Sequence, residues 1–414
     1  MHHFHTNLRR AMKENSLIKI VLESLNKKDS FPIAFLFFTL TIGGLSISRI
    51  IGGNDTNIWF IGEIRNWAVL LLLLFLIAHR SLSTQRIFLY KSVNQWTNVV
   101  VLLHIYILLS SFWSANNHIK FQDFFDILLL IALFYIALYY FAKSPERKIE
   151  LILILSFITS LVLIIISYFG YRTLGEELQT QYVGSIGLAR IAGAGVLSTL
   201  YIWIKYRKNY ILIFTTILFC IVLISGNRGP VLALLIVFLF IYFILFSKTY
   251  KLLLGILSVL TIFILYNFFF LFMDEVYYYL NLFLQINVSQ LAFENIYLAG
   301  REQLFEEVWE IFMDHFYFGA GLGNFQVLGS ASYPHNLILN ILGDGGMTGF
   351  IIFIILLFLI LGRWFRPKTI EHISSFSIAL FYFICSLFAG TYYDARFMWI
   401  FFILYMMPQT KPDM

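Results

Sequence analysis

The sequence predicts an all-α, polytopic membrane protein with about twelve transmembrane helices and one long periplasmic loop containing amphipathic helices. Composition is the first reason: 60% of the 414 residues are hydrophobic, 19% aromatic and only 13% charged, and mean hydropathy is +0.81. No soluble core of this size needs so much apolar surface. Repeated apolar runs are the second reason, because a spanning helix takes roughly 20 such residues where no water can satisfy the backbone. The third is the way lysine and arginine alternate between the connecting segments.

In chain order, residues 1–30 carry Arg9, Arg10, Lys13, Lys19, Lys27 and Lys28 without a long apolar stretch that ends at a cleavage site, so they read as a retained cytoplasmic tail. Spans are expected at 31–50, 60–79, 96–113, 121–142, 149–169, 188–204, 209–225, 230–246 and 252–272, forming a block over 31–272. A periplasmic loop follows at 273–346, and 347–414 holds the last spans, 347–363, 371–389 and 396–408, with a cytoplasmic C-terminus. With both termini inside, 21 of the 29 Lys and Arg residues fall on the cytoplasmic side. The net charge of +6 is then topology rather than affinity for nucleic acid. Cys220 and Cys385 both fall in apolar runs, as packing residues rather than a disulfide.

The outer loop holds nine acidic residues against one basic residue, Arg301. From Arg301 onward, Leu304, Phe305, Val308, Ile311 and Phe312 recur at helical spacing, with Glu302, Glu306, Glu307 and Glu310 between them. That pattern describes an amphipathic helix lying at the membrane surface, with Arg301 in its first turn. A flexible turn is expected at Gly319-Ala320-Gly321-Leu322-Gly323-Asn324, and Tyr333-Pro334-His335-Asn336 opens another apolar helix.

Two further cations face the same side: Arg190 at the start of its span, and Arg228 in the tight turn Ser225-Gly226-Asn227-Arg228-Gly229-Pro230. Three guanidinium groups beside one histidine suit the binding of phosphate oxygens, since each planar fork donates in pairs and stays charged. Helix N-termini add free backbone N–H groups for an anion. A blander role exists for each residue. Arg190 can snorkel to the interface, Arg301 can pair with a neighbouring glutamate, and His335 can simply sit at a helix end. The outer acids show no compact pair suited to a metal.

These motifs, in order, resemble the O-antigen polymerase and O-antigen ligase superfamily of membrane glycosyltransferases. The resemblance rests on Arg190-Ile191-Ala192-Gly193, on Ser225-Gly226-Asn227-Arg228-Gly229, and on Gly300-Arg301 followed by a tryptophan-bearing helix and Gly319-Ala320-Gly321-Leu322-Gly323. It ends with Pro334-His335-Asn336 and Gly345-Gly346-Met347-Thr348-Gly349, so that it covers roughly residues 185–365. Many members carry a glutamate shortly after the His-Asn pair, where this chain has Leu339-Asn340.

The resemblance implies metal-independent, inverting transfer without a cofactor, at the periplasmic face of the bacterial inner membrane. The donor would be an undecaprenyl-pyrophosphate-linked oligosaccharide and the acceptor a sugar hydroxyl, on another lipid-linked unit for a polymerase or on the lipid A core for a ligase. A chain-length regulator is a further partner such an enzyme can have. Arg228 and Arg301, with Arg190, would hold the departing pyrophosphate, His335 would take the hydroxyl proton, and Asn336 would support it. Tyr-Pro-His-Asn and the moderate loop length favour a polymerase over a ligase. A glycolipid flippase or permease is the reading from another class, with Asp123 and Asp126 as coupling residues, but repeated halves and broken helices are not visible in the sequence. Acceptor choice would reside between Phe272 and Leu298, around Tyr277, Tyr278 and Tyr279.

Overall fold

The computed structural model describes residues 91–114, 121–141, 145–174, 185–225, 227–245, 301–331, 333–364, 369–392 and 394–407. Among them every regular element is a helix. The expected tail, the spans 31–50, 60–79 and 252–272, and Tyr277 to Tyr279 lie outside the described residues.

The elements are α1 (Lys91–Leu109, continued by a 3-10 turn at Ser110–Trp113), α2 (Phe121–Phe141), α3 (Pro145–Leu174), α4 (Ser185–Tyr206), α5 (Ile211–Ile224) and α6 (Arg228–Leu245). After them come α7 (Arg301–Asp314), the single turn α8 (Phe325–Leu328), α9 (Leu337–Trp364), α10 (Ile370–Ser386) and α11 (Arg396–Met406). Five stretches are long and apolar enough to cross a membrane: Gln95–Trp113, Phe124–Phe141, Pro145–Ile165, Ile186–Tyr206 and Leu337–Arg363. Four shorter apolar helices, Ile211–Leu223, Gly229–Tyr242, Ile370–Ser386 and Arg396–Met406, coincide with four more of the expected spans.

α4 is the helix around which its neighbours gather, and its sequence explains why. Ala189, Ala192, Gly193, Ala194 and Gly195 bring small side chains close together along α4, so α10 and α3 approach the backbone itself. A Cβ on Gly193 would overlap the Phe381 ring of α10, and one on Gly195 would overlap Ser160 of α3. A second centre is aromatic. Trp399 of α11 meets Trp96 and His104 of α1, Phe134 of α2 and Phe353 of α9 at centroid distances of 5.5–6.5 Å, mostly tilted or edge-on.

The chain thus runs back and forth between two ends. At one end Arg363 and His372 share the carbonyl of Met407, each at 3.0 Å, and Lys148 donates to the carbonyl of Tyr140. Lys205 there bridges Glu150 at 3.1 Å and Glu371 at 2.9 Å, tying α4 to α3 and α10.

Leu337–Trp364 is two helices that meet at Gly346, where φ is 60° and ψ is −159°, so the helix opened by Tyr333-Pro334-His335-Asn336 ends there and the span expected from 347 begins directly after it. Two expectations change on contact with the fold. The glycine-rich segment expected to be flexible is packed. Ala320 N–H donates to Gly343 O at 2.9 Å and Gly321 N–H to Asp344 O at 3.1 Å, while Met347 N–H bonds Phe316 O at 2.8 Å. Gly319 and Gly346 lie so close that a side chain on either would strike the other's backbone. Finally, the apolar stripe of α7 does not face lipid. Val308, Ile311 and Phe312 are buried, with α7 against α9.

Candidate functional site

The site is built at the end of the bundle opposite Lys205, around the turn that joins α10 to α11. An α-helix leaves its last carbonyls without intrahelical donors. Here Cys385 O accepts from the N–H groups of Phe388 and Ala389, and Arg190 adds a side-chain donor. Its Nη2 donates to Cys385 O at 3.0 Å and to Ala389 O at 2.6 Å. Arg190 lies in the second turn of α4 rather than at its start, because α4 begins at Ser185. Its Nε is buried with no hydrogen-bond partner, so one edge of the guanidinium is clamped while the other keeps donor capacity.

Asn336 reaches the same turn from the other side. Its Oδ1 accepts from Ile338 N–H at 2.9 Å and Leu339 N–H at 3.2 Å, making it the N-cap of α9. Its Nδ2 donates to Leu387 O at 3.0 Å. His335, just before that cap, adopts a left-handed backbone with φ of 56° and lays its ring on Tyr333, centroids 4.2 Å apart. Such a conformation costs a non-glycine residue free energy and is held by its surroundings.

The third arrival is the turn before α6. Gly229 packs on Phe388 so closely that a Cβ would come within 2.9 Å of the Phe388 Cβ. The backbone of Arg228, the first residue of α6, is therefore adjacent to the turn as well, and its side chain lies outside the described residues. So does the side chain of Arg301, which begins α7. Of the expected residues, Arg190, Asn336 and the Arg228 backbone are drawn to one turn, with His335 next to Asn336 in the chain. For Arg301 only its place at the head of α7 is fixed.

Several contributors went unremarked in the sequence. Gly390 turns the chain with φ of 102°, and a Cβ there would press on Asp394 and lie 3.2 Å from Arg190 Nη1. Asp394 Oδ2 accepts from Thr391 N–H at 2.8 Å and Thr391 Oγ at 3.2 Å, and its Oδ1 lies 3.8 Å from Arg396 Nη1. Tyr392 donates to Asn340 O at 3.1 Å, supporting the start of α9. Burial, then the Asp344 carboxylate, pushes the Tyr392 hydroxyl well above its ordinary range, so it remains a donor. The signal was present as a short polar, glycine-containing interruption, Ala389 to Arg396, between two apolar runs. Asn340 contributes its carbonyl to this support.

Below the turn, Asn324 donates to Asp344 Oδ1 at 2.6 Å and to Gly321 O at 2.8 Å, fixing the glycine-rich segment to α9. Among the described residues no group of three or more His, Cys, Asp or Glu is placed to share a metal ion.

The fold and these contacts define an all-helical membrane protein with a polar site at one end of its bundle. Residues 211–354, from α5 into α9, match the family described as O-antigen ligase, and that match supports a likeness to the O-antigen polymerase and ligase superfamily. The family supports a membrane enzyme that transfers glycans. No curated protein matches the chain. The match includes Arg228, Arg301 and His335, while Arg190 and the turn from 385 to 396 lie beyond it.

Proposed function

We propose that the chain transfers a glycan from an undecaprenyl-pyrophosphate carrier to a sugar hydroxyl, with inversion and without a metal, at the periplasmic face of the inner membrane. O-antigen polymerase is the activity we assign. The reading is supported above all by the convergence of Arg190, the Arg228 turn and the His335-Asn336 pair on residues 385–390. Three motifs far apart in sequence need a common reason to meet at one membrane-facing end, and a shared anionic substrate supplies it.

In this mechanism Arg228 and Arg301, helped by the free edge of Arg190, neutralise the charge that develops on the departing pyrophosphate. The proton of the attacking hydroxyl passes to His335 as the new glycosidic bond forms and the bond to the carrier phosphate breaks. Asn336 fixes His335 indirectly, by capping α9 and holding Leu387. The family match fits equally a second reading, a ligase that delivers the glycan to the lipid A core.

The test is lipopolysaccharide profiling of a deletion strain complemented with wild type, Arg228→Ala, Arg301→Ala or His335→Ala, each checked for membrane insertion. Loss of the base costs on the order of 10²–10⁴ in rate, so a His335→Ala strain should lose its long chains. A core carrying a single repeat unit identifies a polymerase, and a bare core with chains accumulating on the carrier identifies a ligase. Normal profiles from all inserted variants would sink both readings in favour of a permease.

A further inference from the structure

α7 has a second apolar flank besides the one it buries. Trp309 and Met313, one helical turn apart, are 54% and 56% exposed, and the chain continues into Phe316, Tyr317 and Phe318, the last two 71% and 63% exposed. The rings form a series: Trp309 to Phe312 at 5.4 Å, Phe312 to Phe316 at 5.2 Å and Phe316 to Tyr317 at 5.3 Å. Gln303 and Glu310, two turns apart, are exposed on a line of the helix rotated about 100° from Trp309. A soluble surface rarely leaves so large an aromatic patch uncovered.

What covers it follows from what it joins. Met347 N–H and Thr348 N–H bond the carbonyls of Phe316 and Tyr317 at 2.8 and 3.1 Å. One turn further along α9 the exposed line Ile351, Ile355 and Phe358 begins, the spacing of a helix face turned to lipid. On the other side Tyr106 of α1 donates to Phe318 O at 3.1 Å and packs on Trp113, 6.1 Å between centroids. Exposed Leu102, Ile105, Leu109 and Phe112 make the matching line on α1. Two helices long and apolar enough to span a membrane thus carry exposed apolar lines up to this ridge. Aromatic residues with a polar edge collect at the head-group level of a bilayer.

We infer that the flank Trp309, Met313, Phe316, Tyr317 and Phe318 is seated in the outer interface of the phospholipid bilayer, holding α7 against the membrane beside the site. Arg301, at the head of the same helix, is thereby kept at head-group depth. The occupant is the bilayer itself, and the inference holds whether or not the glycosyl-transfer reading does.

The test uses the full chain with Cys220→Ser, reconstituted in phosphatidylcholine vesicles, with single cysteines introduced as Met313→Cys, Tyr317→Cys, Gln303→Cys or Glu310→Cys and labelled with an environment-sensitive fluorophore. Lipids brominated in the upper acyl chain should quench the label at 313 and 317 several-fold more than at 303 and 310, with blue-shifted emission. In unlabelled protein, Trp309→Phe should remove part of the bromolipid-quenchable intrinsic fluorescence, a check that does not depend on the cysteine variants folding. Equal quenching at all four positions overturns the inference. So does a blue-shifted but unquenched label at 313 and 317, which would mean that another segment or a second copy covers the flank.

Discussion

At the scale of single residues, Asn336 does two separable things. Replacing it with alanine removes the cap of α9, typically about 1 kcal/mol, and also the bond to Leu387 O, worth about another 1 kcal/mol. Asn336→Asp keeps an oxygen for Ile338 and Leu339 and loses only the donation. Unfolding in detergent should therefore rank wild type above Asn336→Asp and Asn336→Ala lowest. If the two variants are equally unstable, the cap contributes nothing and the grip on Leu387 is the larger effect. The sequence marked this residue only as a companion of His335, because a cap is visible as residue type before an apolar run, whereas its second partner lies 51 positions away. Arg190 was legible as a cation on the wrong side of the charge pattern. Its anchoring to Cys385 and Ala389 was not, since backbone carbonyls leave no trace in side-chain identity.

Among elements, α7 and the break in α9 show where periodicity succeeds and where it stops. Helical spacing located α7 and its apolar stripe, but periodicity cannot say whether such a stripe meets protein or lipid. Gly346 marks a boundary that the hydropathy pattern places correctly, with helix on both sides of it. Gly346→Ala should cost about 1–3 kcal/mol for the left-handed backbone alone, and more from the clash with Gly319. A thermal shift no larger than that of an exposed helix glycine would contradict the close approach. Glu307 offers a pH-dependent check on the same region. The backbone N–H of Ser330, with the Ser330 hydroxyl and Gln303 assisting, holds its carboxyl below the ordinary value of 4.5. A lowered carboxyl pKa means the anion is favoured in the folded chain, so the contact is fully present above 4.5 and is lost as pH falls beneath it. Hydrogen exchange at Ser330, corrected for intrinsic rates, should rise across that lower range in wild type and be pH-independent in Glu307→Gln.

For the whole molecule, α4 and α10 are fastened at both ends by different chemistry. At one end Lys205 meets Glu371 and Glu150, with Tyr201 adding a bond to Glu371 at 3.1 Å. At the other, Arg190 holds the carbonyls that finish α10. Between Arg190 and Lys205 lie fifteen helical steps, about 22 Å at 1.5 Å each. Lys205→Met leaves a buried carboxylate, Glu371, and a mostly buried one, Glu150, without their cation. Full burial would make that cost about 3–5 kcal/mol, and the partial exposure of Lys205 and Glu150 reduces it to roughly 1–3 kcal/mol. Because the fastenings share no partner and the bundle between them is close-packed, each should fail independently. Lys205→Met combined with Arg190→Gln should then destabilise by the sum of the single effects to within about 0.5 kcal/mol. The two should part company in function: Lys205→Met should retain transfer once folded, while Arg190→Gln should weaken it, since only Arg190 touches the turn where the site residues meet. A non-additive cycle, or equal loss of activity from both substitutions at matched protein levels, would mean that the basic end controls the site through the length of α4.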